Sequence, residues 1–185
     1  MRKNSDIRVL VAEAEQMEAL VQFLSHPEID NAFSKPLSQR AISITERVYG
    51  KFASGFWLIA LNNKDEIIGC RGCNGLSISD GERVVEFSTL ALFPKYRGLG
   101  IAKKLVSMAS DLAEQRYGLP LMLKFDAPET SQAVIAIALA AGFEISGTIS
   151  DNTKRPDGVR SVIFNCYLQD LLPSKSLLLL EARSR

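Results

Sequence analysis

The chain has 185 residues, of which 46% are hydrophobic and 23% charged. That is enough apolar material for one domain with its own core, without disulfides or metal, and two full domains would be cramped. Its 22 lysines and arginines face 21 acids for a net charge of +1, and their scatter argues against a nucleic-acid-binding face.

No run of about 18 apolar residues offers a membrane span. The opening Met1 to Asp6 is not followed by the apolar stretch of an export signal, so the expected compartment is the cytoplasm, where thiols stay reduced.

In chain order, Asp6 to Val11 reads as a short strand with Ile7, Val9 and Val11 on one face. Glu13 to Leu24 has Met17, Leu20, Val21 and Leu24 at helical spacing, and His26-Pro27 ends it, with loop expected as far as Pro36. A second helix is expected over Pro36 to Phe52, with Ile42, Ile44 and Val48 buried. Phe56 to Leu61, Glu66 to Ile78 and Arg83 to Phe93 then read as three antiparallel strands separated by polar turns at Asn62 to Asp65 and Ser79 to Glu82.

Pro94 stops the third of these strands. From Leu99 the period becomes helical, with Ile101, Leu105, Met108, Ala109 and Leu112 on one stripe and Lys103, Lys104, Ser107, Asp111 and Glu114 facing out. Gly118 and Pro120 terminate this helix, and Leu119 to Phe125 is a strand. Thr130 or Ser131 is placed to cap a helix over Gln132 to Ala141, which is apolar all round and expected to be buried.

Phe143 to Ile149 and Val159 to Leu168 read as strands around a polar turn at Asp151 to Gly158. The tail after Pro173 carries Leu177 to Leu180, which suits a short helix packed on the body, a dimer contact or a disordered end. This order of elements implies an α+β fold in α/β/α layers, with helices on both faces of one sheet.

Cys70 and Cys73 have C-x-x-C spacing. A zinc site wants a second pair of ligands, which Cys166 and the lone His26 do not supply at motif spacing, and a redox pair usually opens a helix rather than sitting in a strand. Both cysteines therefore read as bystanders, and no metal is expected.

The informative stretch is Leu90-Ala91-Leu92-Phe93-Pro94-Lys95-Tyr96-Arg97-Gly98-Leu99-Gly100-Ile101-Ala102, a strand followed by a glycine turn and a helix. Unpaired N–H groups and the positive end of the helix dipole make such a turn an anion site, glycine lets a phosphate come close, and Arg97 adds a fixed charge. A dinucleotide fingerprint would need glycine where Lys103 stands, and no Gly-Lys-Ser/Thr of a Walker loop is present.

This segment resembles the acetyl-CoA-binding motif of the GNAT-type N-acetyltransferases, Gln/Arg-x-x-Gly-x-Gly/Ala, whose specified positions are filled by Arg97, Gly100 and Ala102. Pro94, Tyr96 and Gly98 match residues common around that motif, and the element order resembles the same fold over nearly the whole chain.

The resemblance implies a GNAT-like domain over residues 1–172 and a tail over 173–185. Its sheet would be mixed and mostly antiparallel, of about six to seven strands, splayed between the fourth and fifth. Acetyl-CoA would be the acyl donor, its pyrophosphate held by Arg97, Gly98, Leu99, Gly100, Ile101 and Ala102 and its pantetheine arm lying along the backbone of Leu90, Ala91 and Leu92. Ser131 stands where an asparagine often contacts the cofactor, although a helix cap explains it more simply.

The resemblance also points to Glu86 as the base. Burial beside Val85 and Phe87 would raise its pKa toward a useful value, but strand alternation leaves its facing open, and a solvent-facing glutamate is the bland reading. The chain departs from the family where a tyrosine often acts as general acid, since that position holds Ala138; Tyr117 and Tyr167 are the candidate substitutes.

The expected activity is acetyl transfer to a primary amine, on a small molecule or a peptide, by direct attack in a ternary complex. The alternatives are a non-catalytic acyl-CoA-binding or sensing module and, less favoured, an interaction domain using its leucine-rich tail. The acceptor would meet His26 to Leu37, where Glu28 and Asp30 suit a cation, and Asp151 to Arg160. A homodimer is a possible assembly, and neither nucleic acid nor membrane is an expected partner.

Overall fold

The computed structural model describes residues 7–33, 35–149 and 158–169. The first strand, β1 (Arg8–Val11), leads through a 3-10 turn (Ala14–Gln16) into α1 (Met17–Ser25) and α2 (Pro27–Asp30). After α3 (Ile44–Ser54) come β2 (Phe56–Leu61), β3 (Ile67–Ser79) and β4 (Glu82–Leu92), the antiparallel run that the turn residues predict. The chain continues through α4 (Ile101–Tyr117), β5 (Leu121–Pro128), α5 (Gln132–Ala140), β6 (Glu144–Ile149) and β7 (Ser161–Leu168).

The strands form one seven-stranded sheet in the order β1-β2-β3-β4-β5-β7-β6. All neighbours are antiparallel except β4 and β5, which are parallel. The mixed sheet and the α+β class are as expected.

Alternation along the strands divides the core in two. Leu58, Ala60, Val85, Phe87, Leu123 and Phe125 meet the α4 stripe of Ile101, Leu105 and Ala109. Trp57, Ile59 and Cys70 meet Met17, Leu20 and Leu24 of α1 and Val48 of α3. The Trp57 indole N–H is satisfied inside this second layer by the Val48 carbonyl at 3.0 Å.

Five expectations need correction. The stretch from Pro36 is not continuous helix: after a 3-10 turn at Leu37–Gln39, α3 starts only at Ile44. It is nucleated by a capping box in which the Ser43 hydroxyl accepts from the Glu46 N–H at 3.1 Å and the Glu46 carboxylate accepts from the Ser43 N–H at 3.0 Å. Ile42 lies before this cap and is 54% exposed.

The stretch after His26 is not wholly loop, because Pro27 opens α2, capped by His26 Nδ1, which accepts from the Glu28 N–H at 3.2 Å. In α5, Ala138 alone is buried, while Leu139 on the outer side is half exposed. Its composition permits burial on every side, but it covers the sheet with one face. Ser131 is its N-cap by position, yet its hydroxyl makes no cap bond.

The polar turn at 151–157 and the leucine-rich tail lie outside the described residues. No helix among the described residues is long and apolar enough to cross a membrane.

Candidate active site where two parallel strands part

The parallel ladder between β4 and β5 has three rungs, Val84–Met122, Val85–Leu123 and Glu86–Lys124. Beyond it β4 runs on to Leu92 and β5 to Pro128 without pairing, so a gap opens toward their C-terminal ends. A bulge accompanies the change of course: Gly72 faces Ser88 and Arg71 faces Leu90, which leaves Thr89 as the extra residue, with φ of 44°.

Past the bulge the Phe93 N–H donates to the Ile68 carbonyl at 3.0 Å. By the two-residue alternation of a strand, the N–H and C=O of Ala91 also face β3, while those of Leu90 and Leu92 face the edge that β5 has left. The gap is thus bounded on one side by unpaired strand backbone.

At the end of that edge lies the glycine turn. Pro94–Tyr96 makes one 3-10 turn, Arg97 is extended and exposed, and Gly98 and Gly100 take φ of 77° and 76°. Those angles belong to the left-handed region that glycine alone adopts without strain. A Cβ at either position would meet nothing within 4 Å, so the ground over the turn is open.

Gly100 is the N-cap of α4 and has no side chain with which to cap it. The helix's first N–H groups, from Ile101, Ala102 and Lys103, have no intrahelical acceptor. The 17-residue helix adds its positive end there, and Lys103 and Lys104 are exposed beside it. Leu99 is half-buried against the core and anchors the turn. Open N–H groups, the helix's positive end and two lysines give this turn the chemistry that can receive an anion.

Glu86, half-buried, sits on the last rung before the strands part. Val85 and Phe87 enter the α4-side core, so Glu86 points to the opposite face and not in beside them, which resolves the ambiguity of the alternation. There its carboxylate accepts from the Asn74 side-chain amide at 3.5 Å, and Asn74 in turn accepts from Lys51 of α3. Glu86, Lys124, Phe125, Asp126, Ser161 and Ile163 line a cleft of about 200 Å³. In its wall the buried Ser161 hydroxyl donates to Asp126 at 3.0 Å.

Other candidates fall outside this site. Tyr167 is 55% exposed, with its hydroxyl 3.5 Å from Glu82. Tyr117 is the last residue of α4, at the opposite end from the glycine turn, about 25 Å away along a helix of that length. Neither lines the cleft, and Ala138 is fully buried in the core. Asp30 is engaged locally by the Ser38 N–H at 3.0 Å, while Glu28 is exposed. Cys70 packs in the α1-side core and Cys73 in the α4-side core, so the two thiols share no face. Burial pushes both thiols up, Cys73 to about 12.

One residue without a sequence signal stands out. Arg71 of β3 is 2% exposed, and its guanidinium lies 5.1 Å from the Phe87 ring centre and 4.9 Å from that of Phe125. Its Nε and Nη2 are buried with no hydrogen-bond partner. Phe87 and Phe125 directly follow the last rung, so Arg71 occupies the crotch of the gap.

The same architecture recurs in solved structures. The NatC complex bound to Gag peptide and CoA matches with a TM-score of 0.71 and 21% identity, over 89% of this chain and 99% of that one. So does yncA from Salmonella typhimurium with its cofactor acetyl-CoA, at 0.71 and 18%, over 90% and 96%. A spermidine N-acetyltransferase chimera from Vibrio cholerae SpeG and hSSAT matches at 0.63 and 13%, over 88% and 95%. At these identities the likeness is one of fold, and among curated protein sequences none matches. The model of the Acetyltransferase (GNAT) family, however, matches residues 17–143, more than half of the chain, and this protein is therefore a member of that family and an acetyltransferase.

Proposed function

We propose that the chain transfers an acetyl group from acetyl-CoA to a primary amine, on a small molecule or a peptide, by direct attack within a ternary complex. One observation carries this reading: the unpaired β4 edge at Leu90 to Leu92 leads straight from the crotch of the gap to an uncapped, glycine-lined helix start. A long donor with a diphosphate at one end and an amide-bearing arm fits that succession. Arg97, Gly98, Leu99, Gly100, Ile101 and Ala102 would hold the diphosphate, and Leu90, Ala91 and Leu92 would align the arm as an added strand. Ser131, whose hydroxyl makes no cap bond, would contact the arm from the start of α5.

The acceptor would enter from the opposite face, through the cleft lined by Glu86 and Asp126. The amine nitrogen attacks the thioester carbonyl, the N–C bond forms and the C–S bond breaks. The amine's proton passes to Glu86, directly or through water, and the sulfur leaves as thiolate to be protonated by solvent. Backbone N–H groups near Leu92 would polarise the carbonyl oxygen. A positioned base of this kind contributes about 10²- to 10⁴-fold.

Gly100→Asp places bulk and negative charge where the diphosphate would lie, and is expected to weaken CoA binding by more than about 100-fold in isothermal titration. Unchanged affinity would overturn the assignment of the turn. Glu86→Gln is expected to lower kcat about 10²-fold or more while leaving CoA affinity unchanged. A second reading, acyl-CoA binding without turnover, is favoured by Ala138, which offers no hydroxyl at the usual acid position. Free-thiol release with a panel of amines separates the two, since a sensor binds CoA and releases none.

A further inference from the structure

The gap contains a charge that the acetyl reading does not use. Arg71 is buried in a position where water reaches neither Nε nor Nη2. The guanidinium carbon lies over both phenylalanine rings, and the Nε–Nη2 edge is left unmatched. Stacking of this kind recovers only part of what burying an ion without a partner costs. The burial is felt in the group itself: it pushes the guanidinium down to about 10, offset only in part by Cys73, Cys70 and Asp126.

The two orphan donors are not an arbitrary pair. Nε–H and one Nη2–H point the same way along one edge of the guanidinium, forming the fork that takes both oxygens of a carboxylate. A lone carbonyl oxygen would fill half of it.

The place is equally informative. Arg71 faces Leu90 across the β3–β4 ladder, and its guanidinium reaches back to the ring of Phe87, five residues before the end of β4 at Leu92. The glycine turn lies beyond that end, so the fork is at the far end of the gap from the diphosphate seat. A donor laid along Leu92 and Leu90 would bring its acyl group, not its phosphates, to the crotch. This is also where the cleft of Glu86 meets the gap, because Phe125 lines the cleft and stacks on Arg71.

We propose that Arg71 is a specificity residue that binds a substrate carboxylate at the crotch of the β4–β5 gap. The inference rests on the acetyl-CoA reading of that gap. The carboxylate has two possible carriers, the acyl group of the donor or the amine acceptor. The donor is the nearer one, since the Arg71 side chain lies among the α4-side residues Phe87 and Phe125.

The test has two arms, each run on the full chain and on Arg71→Met and Arg71→Lys. In the donor arm, malonyl-CoA and succinyl-CoA compete against butyryl-CoA, of similar length and uncharged, with one amine. In the acceptor arm, acetyl-CoA is offered an amino acid and its carboxamide. CoA affinity is measured in all three proteins.

The expected result is a preference for the carboxylate in one arm by about 10- to 100-fold in kcat/KM. Arg71→Met should erase that preference with CoA affinity kept within about threefold, and Arg71→Lys, which keeps the charge but not the fork, should restore only part of it. The arm that responds identifies the carrier. No preference in either arm of the unmutated chain overturns the proposal whether or not Arg71→Met folds, as does a preference that survives in both variants. With CoA bound and acetyl transferred, such a result leaves the acetyl-CoA reading standing; absence of CoA binding in the unmutated chain overturns both.

Discussion

β2 is buried at all six of its positions, Phe56 to Leu61, whereas β6, at the edge of the same sheet, is exposed at every position except Gly147, which is half-buried. The β1–β4 half carries a helical layer on each face and a tryptophan at its centre. The β5–β7 half leaves Ile145, Ile149 and Tyr167 about half exposed. Three parallel rungs join the halves, and past them rings take over: Phe87 and Phe125 both reach Phe143, at 6.2 and 5.0 Å, and Phe125 stacks on Phe164 at 4.8 Å. Side-chain packing holds the halves together where backbone bonding has stopped. The sheet can therefore offer unpaired backbone to a ligand without coming apart.

The contrast predicts unequal sensitivity to mutation. Trp57→Ala is expected to cost about 3–5 kcal/mol, because it opens a cavity and removes the buried hydrogen bond from the indole to the Val48 carbonyl. Urea unfolding would show the unfolding free energy fall by that amount, and CoA binding would weaken only under conditions where the fold itself is lost. A cost below about 1 kcal/mol would mean that the first half is not the stabilising one.

Gly100→Ala comes next, at about 1–3 kcal/mol, since φ of 76° is held there by the turn and alanine tolerates it poorly. Unlike Gly100→Asp it adds little bulk and no charge. Comparing their CoA affinities therefore separates the shape of the turn from its electrostatics.

The turn was also the most legible part of the chain. Arg97, Gly98 and Gly100 stand in the order that an anion site demands, and the structure gives both glycines the left-handed angles that such a turn uses. The order of strands and helices was readable for the same local reason, because hydrophobic period and turn residues act within a few positions. What failed was whatever depended on a distant neighbour. α5 is apolar all round, but how much of it is covered depends on the sheet beneath it, and its composition carries no measure of that.

Glu86 could be given no face from alternation alone, since either side of β4 carried apolar residues; only its neighbours across the sheet decide. Arg71 left no trace, being one arginine in the run Gly69-Cys70-Arg71-Gly72-Cys73, whose significance rests on Phe87 and Phe125 from later strands. One further signal is readable in the sequence: Ser43 followed three residues later by Glu46 marks the start of α3.

That capping box supports a smaller prediction in the first half. Ser43→Ala is expected to cost about 1 kcal/mol through the lost N-cap. The Ser43 hydroxyl, and then its backbone N–H, hold the Glu46 carboxyl below the usual carboxylate range. A depressed folded-state pKa stabilises above the unfolded value, and the contribution is lost as pH falls through the folded one. In Ser43→Ala the Glu46 titration followed by NMR should move up toward its ordinary value, and the acid limb of the stability curve should flatten.

The smallest effect is expected in β6 and has the opposite sign. Gly147 lies on the exposed strand, outside the left-handed region, and a Cβ there meets nothing within 4 Å. Gly147→Ala thus adds no strain to the folded chain, while it removes freedom from the unfolded one, and should stabilise by about 0.4–1 kcal/mol. The same atom added at Gly100 should destabilise, although that site is just as open in space. Thermal melts of the two variants side by side isolate the backbone angle as the cause, because neither substitution touches a neighbour. If Gly147→Ala also lowered the melting temperature, the outer strand would be packed against something that its exposure does not reveal, and the contrast between a covered and an uncovered half of the sheet would have to be redrawn.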